Sequence, residues 1–588
     1  MPEHSQEQTT QRSLAVNLLP FLFLLLSSGA LATKPNFIIV YTDDHGWPDI
    51  GAAGIYDDLK TPNLDALASS GVRATHGYSS APQCVPSRAG LLTGKFQARF
   101  GLESNGQSLA GFNAELTIAE RLQSEGYATG QIGKWHLGPT TEIPTHGFDD
   151  IYSKNANRSC SANFTLQGET IPMQQVNDKL YHLDACSQAA TAFIDRHKDQ
   201  PFFLYLAYRA PHVPLDAPEK YLARFPGDMP ERRRQALAMI SAMDDGVGQI
   251  VERLAQLSLT ERTLIFFIGD NGAPLKIAKE DAPGRGAGWD GSLNEPMNGE
   301  KGMLAEGGIR VPFLISWPGT IPGNQVSPMP MTALDVAATT LPLASINLRP
   351  HELDGIDLLP YLRDPSKPAP ERLLTWRWIA QAAVRHHHWK LLKGGEREYL
   401  FDLSKDPGET KNLLSTHPEI ANRLRSHLNE WSQELQPPGL ATGPMSSTWE
   451  RYFDHYLEGK PGEVAAKPSS SKTWIARNAN LSVVDQTLVV KGTGRRPPFL
   501  ALSKIKLTEE TAVTIQSSGT KTIRLSWRCQ DQKDFDGDQS VSHSVEGSGL
   551  AHLTLPKTTS PIIHLRLHLD PGDTEIRQVS LGTQTWTW

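Results

Sequence analysis

Short, wholly apolar runs that end in polar clusters recur through the first 320 residues. "NFIIVYTDDHG" (residues 36–46) is a run of branched and aromatic side chains that closes on two carboxylates and a glycine. "PFFLYLAYRAPH", "TLIFFIGDNG" and "RVPFLISWPG" follow the same pattern. Such runs predict buried strands. Between them lie stretches such as "ELTIAERLQSEGYA" and "ERRRQALAMISAMDDGVGQIVERLAQL", whose periodicity predicts amphipathic helices. Strand–helix alternation argues an α/β fold with a mostly parallel sheet covered by helices. Folds of this kind place their sites at the carboxyl ends of strands. Asp43–Asp44, His212 and Asp270–Asn271 all fall there.

After about residue 350 the pattern changes. "LLTWRW", "AAVRHHHWKLL" and "REYLFDL" predict short antiparallel strands, with a helix around "HPEIANRLRSHLNEWSQEL". "GKPGEVAAKPSSSK" has the composition of a linker. From about residue 470, short strands alternate with turns ("LSVVDQTLVVKG", "TIRLSWRCQ", "IIHLRLHLD"), which predicts a separate β-sandwich. The expected organisation is an export segment (1–32), a principal α/β domain (33–350), a small antiparallel sheet with a helix (351–440), a linker (441–469) and a β-sandwich (470–588).

Composition narrows the possible partners. The chain has 588 residues and a net charge of −7, so a nucleic-acid partner has no electrostatic support. An anionic substrate would need a local cluster of cations against that background. Arg12 precedes the apolar run "LLPFLFLLL", and Ala30–Ala32 offer a small-residue cleavage site. The run is short for a membrane span of about 20 residues. The expectation is a cleaved export signal, a secreted or periplasmic location, and no membrane association after cleavage. The four cysteines, Cys84, Cys160, Cys186 and Cys529, form no CxxC pair, which argues against a zinc ribbon. In an exported protein Cys160 and Cys186 could bridge a loop, a pairing that spacing alone does not decide. Asn157, Asn163 and Asn480 lie in N-x-S/T sequons, which matter only in a glycosylating host.

Adjacent aspartates at a strand end can be a turn or a helix cap. Taken together, Asp43, Asp44, Asp270 and Asn271 offer three carboxylates and an amide oxygen, hard ligands suited to Ca²⁺ or Mg²⁺. A divalent cation would also remove the repulsion between neighbouring carboxylates. Cations follow in three loops. "GKWHLG" places Lys134 and His136 on one face if the segment is extended. "GEKGMLAEGGIRVP" presents Lys301 in a glycine-rich loop, and "RAPHVP" holds His212 between prolines. Each alone could be a solvated residue.

Cys84 lies in "SAPQCVPSRAGLLTGK". Pro86 suits the first turn of a helix, so residue 84 falls just before a helix N-terminus, where anions are favoured. A cysteine-phosphatase loop needs five residues between Cys and Arg, and here there are three. A protease-type thiolate fits poorly beside hard oxygen ligands. A metal ligand, half of a disulfide, or the precursor of another group remain open.

These motifs also carry a family resemblance. "CVPSRAGLLTG" resembles the C-x-P-S-R-x-x-x-x-T-G signature of the type I sulfatases. "TDDHG" before it, and "GKWHLG", "APHVP", "GDNG" and "GEKG" after it, are similar to that family's motifs in the same order. The similarity runs from about residue 35 to about 430 and includes "LDGIDLLPYL" and "LFDLSKDPGETKNL". It implies the alkaline-phosphatase-superfamily fold and oxidation of Cys84 to formylglycine (3-oxoalanine) by a maturation enzyme. It also implies Ca²⁺, rather than Mg²⁺, held by Asp43, Asp44, Asp270, Asn271 and the modified residue 84. A hydroxyl of the hydrated aldehyde would attack sulfur in line and expel the alcohol; the second hydroxyl would lose its proton and release sulfate. By the same resemblance Arg88 orients the diol, while Lys134 and Lys301 hold the sulfate oxygens. His136 would be the base for the collapse, and His212 with Lys301 would protonate the leaving oxygen.

Two other functions compete. One is a phosphodiesterase or phosphonate hydrolase of the same superfamily; the combination of Lys134, His136 and His212 favours sulfate. The other is a non-catalytic binder of sulfated glycans, against which every expected catalytic position is filled. Export, an acidic balance and a C-terminal sandwich fit a sulfated extracellular carbohydrate as substrate. The sandwich itself could bind glycan or serve only to pack against the catalytic domain. In the polar, glycine-rich insertion "APLKIAKEDAPGRGAGWDGSLNEPMN", Trp289 is a candidate to stack on a sugar and Asn294 to contact a hydroxyl, unless both only order the loop. The triplet His386–His388 suggests a metal, but strand alternation beside Trp389 favours a structural role.

Overall fold

The computed structural model describes Met1 and residues 34–153, 181–275, 289–460 and 474–587, with breaks at 485–486, 493–496, 533–534, 537 and 546–548, and the strands Phe164–Leu166 and Glu169–Ile171. The expected export signal, Cys160, Asn157 and Asn163 fall outside the described residues, as does most of "GKPGEVAAKPSSSK". The chain divides into two compact units, Met1–Gly462 and Glu463–Trp588.

In the first unit the strand Asn36–Asp43 lies near the middle of a ten-stranded sheet. It pairs in parallel with Phe202–Pro211 on one side and Thr263–Gly269 on the other. Ala128–Gly133 continues the parallel set, and Phe313–Ser316 adds an antiparallel neighbour beyond Thr263–Gly269. All eight residues of the central strand are buried because both faces of the sheet are covered. Phe37, Ile39 and Tyr41 point into one core with Leu91, Leu92 and Val336; Ile38 and Val40 point into the other with Phe193, Leu237 and Ile240. The helices Cys84–Thr93 and Asp335–Leu343 therefore cover one face, and His182–His197 and Glu231–Gln256 the other. A strand with period-two side chains can be apolar throughout only in such a three-layer setting.

A four-stranded antiparallel sheet follows, from Leu373–Trp378 through Gln381–His386 and Trp389–Gly394 to Arg397–Asp402. Leu424 and Leu428 of the helix Pro418–Ser432 pack on one face. The other face packs with Met303, Leu304 and Phe453. Phe453 belongs to the helix Ser447–Leu457, which occupies part of the stretch expected to be linker. Trp449, Tyr452, Phe453 and Tyr456 recur at i, i+3, i+4 and i+7, a helical stripe that buries itself against the sheet.

The second unit is a β-sandwich. Its first sheet has the order Trp474–Arg477, Phe499–Leu507, Ile562–Leu569, Thr522–Cys529, Ser540–Ser544. The second is built on Asp573–Leu581, with Thr511–Ser518 and Thr487–Gly492 on either side. Leu500, Leu525, Leu567, Ile515 and Val579 meet in the core between the two sheets. Among the described residues no helix is long and apolar enough to cross a membrane.

Candidate active site

The polar ends of adjacent strands are brought together by register. Thr42 pairs with Gly269 and Asp43 with Pro211, and the Asp270 amide donates to the Thr42 carbonyl at 2.9 Å. The Lys134 amide donates to the Ala207 carbonyl at 2.8 Å, which brings the exit of a third strand to the same edge. Asp44 has φ 58°, unfavourable for a residue with a side chain, and its amide is held by Asp270 Oδ1 at 3.0 Å. The helix starts at Cys84 itself, earlier than Pro86 suggests. The Val85 amide, otherwise an orphan of the first turn, donates to Asn105 Oδ1 at 3.0 Å.

Cys84 is the centre of the cluster. Its Sγ lies 3.4 Å from Asp43 Oδ1, 3.9 Å from Asp44 Oδ1 and 3.2 Å from Lys301 Nζ. Lys301 Nζ also donates to Asp44 Oδ1 at 2.5 Å, and Lys134 Nζ to Asp43 Oδ2 at 2.6 Å. Arg88 donates to Asp270 Oδ2 at 2.8 Å, to the Tyr205 hydroxyl at 3.1 Å and to the Lys134 carbonyl at 3.2 Å. His212 Nε2 stands 3.6 Å from Asp44 Oδ2. Asn271 donates through Nδ2 to Asp44 Oδ1 at 2.7 Å, and its Oδ1 is buried with no hydrogen-bond partner.

Burial and crowding set the charges. Burial opposes ionisation of Asp43, but Lys134, His212, Arg88 and Lys301 together hold its pKa well below the usual carboxylate range. Asp270 is pushed up to about 7 by burial and by the Asp43 charge. Burial and Asp270 drive the Cys84 thiol far above its ordinary value, so it is protonated at neutral pH and is no thiolate nucleophile. His136 is lowered to about 3 by burial and by Lys134 and Arg88, which leaves a neutral imidazole. Its Nδ1 is buried without a partner. His136 has φ 62°, so the segment turns rather than running extended as expected, yet its ring still faces the field of Lys134, Arg88 and Asp43.

The donor set fits a hard divalent cation. Ligand atoms of Asp43, Asp44, Cys84 and Asp270 all lie within 4.8 Å of one another, and the orphaned Asn271 Oδ1 adds a further oxygen. Three buried carboxylates are a combination that extra positive charge relieves.

Trp289 and Asn294 are both buried. Trp289 is 2% exposed, packs with Ala273 and Leu275, and donates Nε1 to the Ser292 carbonyl at 2.5 Å. Asn294 is 1% exposed; its Oδ1 accepts from the Ala273 amide at 2.8 Å and its Nδ2 donates to the Ala273 and Gly299 carbonyls. Both are held by contacts within the described part of the loop. Cys186 is buried on the helix His182–His197, and its expected partner Cys160 lies outside the described residues. His386 and His387 do not alternate. His387 turns at φ 51°, and both Nε2 atoms approach Glu371 Oε1, at 3.2 and 3.7 Å, on the surface.

Several supporting residues went unpredicted. Arg209 donates to the carbonyls of His212 at 3.2 Å and Pro214 at 2.9 Å and pairs with Asp216 at 3.1 Å, fixing the loop that carries His212. A lone charge inside "LYLAYRAP" was the available signal. Trp449 covers Gly302, next to Lys301; a Cβ at Gly302 would come within 2.1 Å of the indole. Lys390 binds Glu306 at 2.8 Å and Glu409 at 2.9 Å, all three buried, which ties this loop region to the small sheet.

Hard donors for a divalent cation, two lysine ammoniums and a helix N-terminus around one residue define a site for hydrolysing esters of tetrahedral oxyanions. Residues 35–346 match the Sulfatase family model, and residues 299–434 match that of the N-sulphoglucosamine sulphohydrolase C-terminal region. The chain is 31% identical over 462 residues to arylsulfatase A of Bos taurus, covering 68% of this chain and 87% of that protein. It is 32% identical over 432 residues to N-acetylgalactosamine-6-sulfatase of Mus musculus, covering 67% and 79%. A solved structure of Ps i-CgsB in complex with k-i-k-neocarrahexaose is similar at TM-score 0.60 and 29% identity, covering 74% of this chain and 99% of that one. The phosphonate monoester hydrolase of Agrobacterium radiobacter shares the fold at TM-score 0.51 and 18% identity. The chain belongs to the type I sulfatase family of the alkaline-phosphatase superfamily, and its activity is sulfate-ester hydrolysis.

Proposed function

We propose that the chain is an exported carbohydrate sulfatase that acts through a formylglycine made from Cys84 by a maturation enzyme, with Ca²⁺ as its metal. The observation that carries this reading is the setting of Cys84. A thiol held protonated among three carboxylates is a poor nucleophile, whereas an oxygen nucleophile at the same point suits hard ligands. Asp43, Asp44, Asp270 and Asn271, with the modified residue 84, would hold the ion, and a crowded acidic set favours Ca²⁺ over the stricter octahedron of Mg²⁺. Bound there, the ion and the hydrated aldehyde would supply an activated oxygen and an internal exit for sulfate.

The remaining roles belong to side chains in place. Lys134 and Lys301 bring two ammoniums to Cys84 and its acidic neighbours, where they would neutralise sulfate oxygens in the transition state. Arg88, fixed by Asp270, Tyr205 and the Lys134 carbonyl, holds the floor of the site. His136, kept neutral, retains a lone pair and would be the acceptor for the proton of residue 84, as the family resemblance implies. His212 donates Nδ1 to the Val213 carbonyl at 2.5 Å, which turns Nε2 toward Asp44 and the leaving oxygen.

A carbohydrate substrate is supported by the relative named an N-acetylgalactosamine-6-sulfatase and by the neocarrahexaose held by Ps i-CgsB. The test is co-production with the maturation enzyme, mass spectrometry of the peptide carrying residue 84, and assay on defined sulfated saccharides, with phosphodiesters and phosphonates alongside. Sulfate release by the converted enzyme, and none by Cys84→Ala, is the expected result. Full activity with an unmodified thiol would overturn the mechanism, and preference for phosphorus esters the substrate.

A further inference from the structure

The β-sandwich carries a charged face that the hydrolytic site does not use. In its first sheet Leu500, Leu525, Leu565 and Leu567 point into the core, so the alternate residues point outward. Register sets Arg524 beside His568 and Arg528 beside His564, with Arg566 opposite Ser526 between them. None of the five strands contains an aspartate or glutamate, in a chain whose net charge is −7. The other sheet, by contrast, carries Asp573 and Glu575 near Lys491.

Among the described residues none of these arginines forms an ion pair within the unit. Among the described residues its ion pair is Lys557–Glu509 at 2.9 Å, between residues outside the five strands. Asp570, at the end of Ile562–Leu569, is engaged by the amides of Lys521 and Thr522, both at 2.7 Å. Asp531, Asp536 and Asp538, in the connection after Thr522–Cys529, form no ion pair with the arginines. Arg524 is exposed and has no partner among the described residues, and Arg528 donates to His564 Nδ1 at 2.6 Å and to the Gln532 carbonyl. Arg566 lies 3.8 Å from the Phe535 ring centroid and 5.2 Å from that of Phe499, so its plane is held while its edges carry no hydrogen bond to the described residues. The field is strong enough to act on the histidines: burial, Arg524 and Arg566 lower His568 to about 4.

The layout also discriminates among ligands. Arg524 and Arg528 are four residues apart on one strand, about 13 Å, with Arg566 across the neighbouring strand. That spacing does not converge on one small anion. It suits charges repeated along an extended chain, and the face runs into a groove of about 720 Å³ bordered by Ile475, Ser503 and Lys506. Guanidinium groups bind sulfate through paired N–H donors. The geometry points to this face as a second, non-catalytic site that binds a sulfated saccharide chain. The assignment rests on the carbohydrate reading of the hydrolytic site and gives the enzyme a hold on the polymer it desulfates.

The test uses the full-length protein carrying Cys84→Ala, so that ligand is not consumed, and measures binding to carrageenan, to its desulfated form and to duplex DNA at fixed salt. The combined Arg524→Gln, Arg528→Gln and Arg566→Gln variant is expected to bind carrageenan at least tenfold more weakly, and the matching lysine variant to recover most of that loss. The same glutamine changes in the active enzyme leave turnover of a small aryl sulfate unaltered. If the combined variant does not fold, Arg524→Gln alone, at an exposed residue, is expected to weaken binding at least twofold. Undiminished binding by the folded glutamine variants would overturn the proposal, as would equal binding of DNA or of the desulfated polymer. Enzyme that binds carrageenan through this face but releases sulfate from no saccharide would instead overturn the carbohydrate reading of the hydrolytic site.

Discussion

Arg88 and Asp270 form an ion pair at 2.8 Å from which solvent is wholly excluded. The guanidinium also lies 3.6 Å from Asp43, so one buried cation serves two carboxylates. Removing one partner of a buried pair costs about 3–5 kcal/mol because the other charge stays buried. Arg88→Ala is expected to lose about that much unfolding free energy in urea at fixed Ca²⁺, together with its activity. Arg88→Lys should regain part of the stability but not the activity, since an ammonium cannot span Asp270, Tyr205 and the Lys134 carbonyl at once.

On the proposed acid role, His212 should separate substrates by leaving group. Proton donation to a poor leaving alcohol is worth about 10²–10⁴-fold, and an acidic phenol needs little of it. His212→Ala should therefore lower kcat/KM on a sugar sulfate by that range while reducing turnover of an aryl sulfate far less. Arg209→Met, which frees the carbonyls of His212 and Pro214, should show the same selectivity at smaller amplitude. Equal losses on both substrates would remove the acid role.

Chelation should act on stability and activity together. EGTA dialysis is expected to lower the thermal midpoint and abolish sulfate release, with Ca²⁺ restoring both more fully than Mg²⁺. Asp270→Asn should raise the Ca²⁺ concentration needed for half-recovery by at least tenfold, measured by titrating activity back.

The buried trio of Lys390, Glu306 and Glu409 predicts a pH effect remote from catalysis. Burial, with Glu306 nearby, raises Glu409 from 4.5 to about 7 despite Lys390. The folded state thus holds a proton that the unfolded chain has released, so this residue's contribution to stability falls as pH rises from about 4.5 toward 7. Glu409→Gln should flatten the unfolding free energy over that window. Lys390→Met should destabilise by about 3–5 kcal/mol at neutral pH. An unchanged pH profile in Glu409→Gln would refute the assignment.

Trp449→Ala should impair catalysis without touching substrate. Loss of the indole over Gly302 frees the loop that sets Lys301 Nζ 3.2 Å from Cys84. Misplacement by about 1 Å can cost up to about 10²-fold, and the expected loss is about tenfold in kcat. Trp449→Phe should recover most of it, which a general loss of folded protein would not predict.

The parallel core and most of the cluster were legible because apolar runs ending in Asp43–Asp44, His212 and Asp270–Asn271 encode both strand and site in one local pattern. Contacts made across the fold were not. Tyr205 and Arg209 lie in a strand that reads as core, and only register aims them at Arg88 and His212. Glu306 and Lys390 are 84 residues apart in sequence, and neither stretch announces the other. The helix Ser447–Leu457 was masked by the Pro- and Gly-rich residues after it, although its aromatic stripe is regular. Trp289 looked exposed because its neighbours in sequence are small and polar, while its neighbours in space are Ala273 and Leu275.

Cys84 is 1% exposed and sits beneath strands and loops drawn from more than 200 residues of later chain. Any macromolecule that is to alter this thiol must reach it before those segments close over it. On the proposed formylglycine mechanism, conversion would therefore compete with folding. On that reading, slowing the closure of this unit, rather than treating the folded protein with catalyst afterwards, would raise the fraction of active molecules.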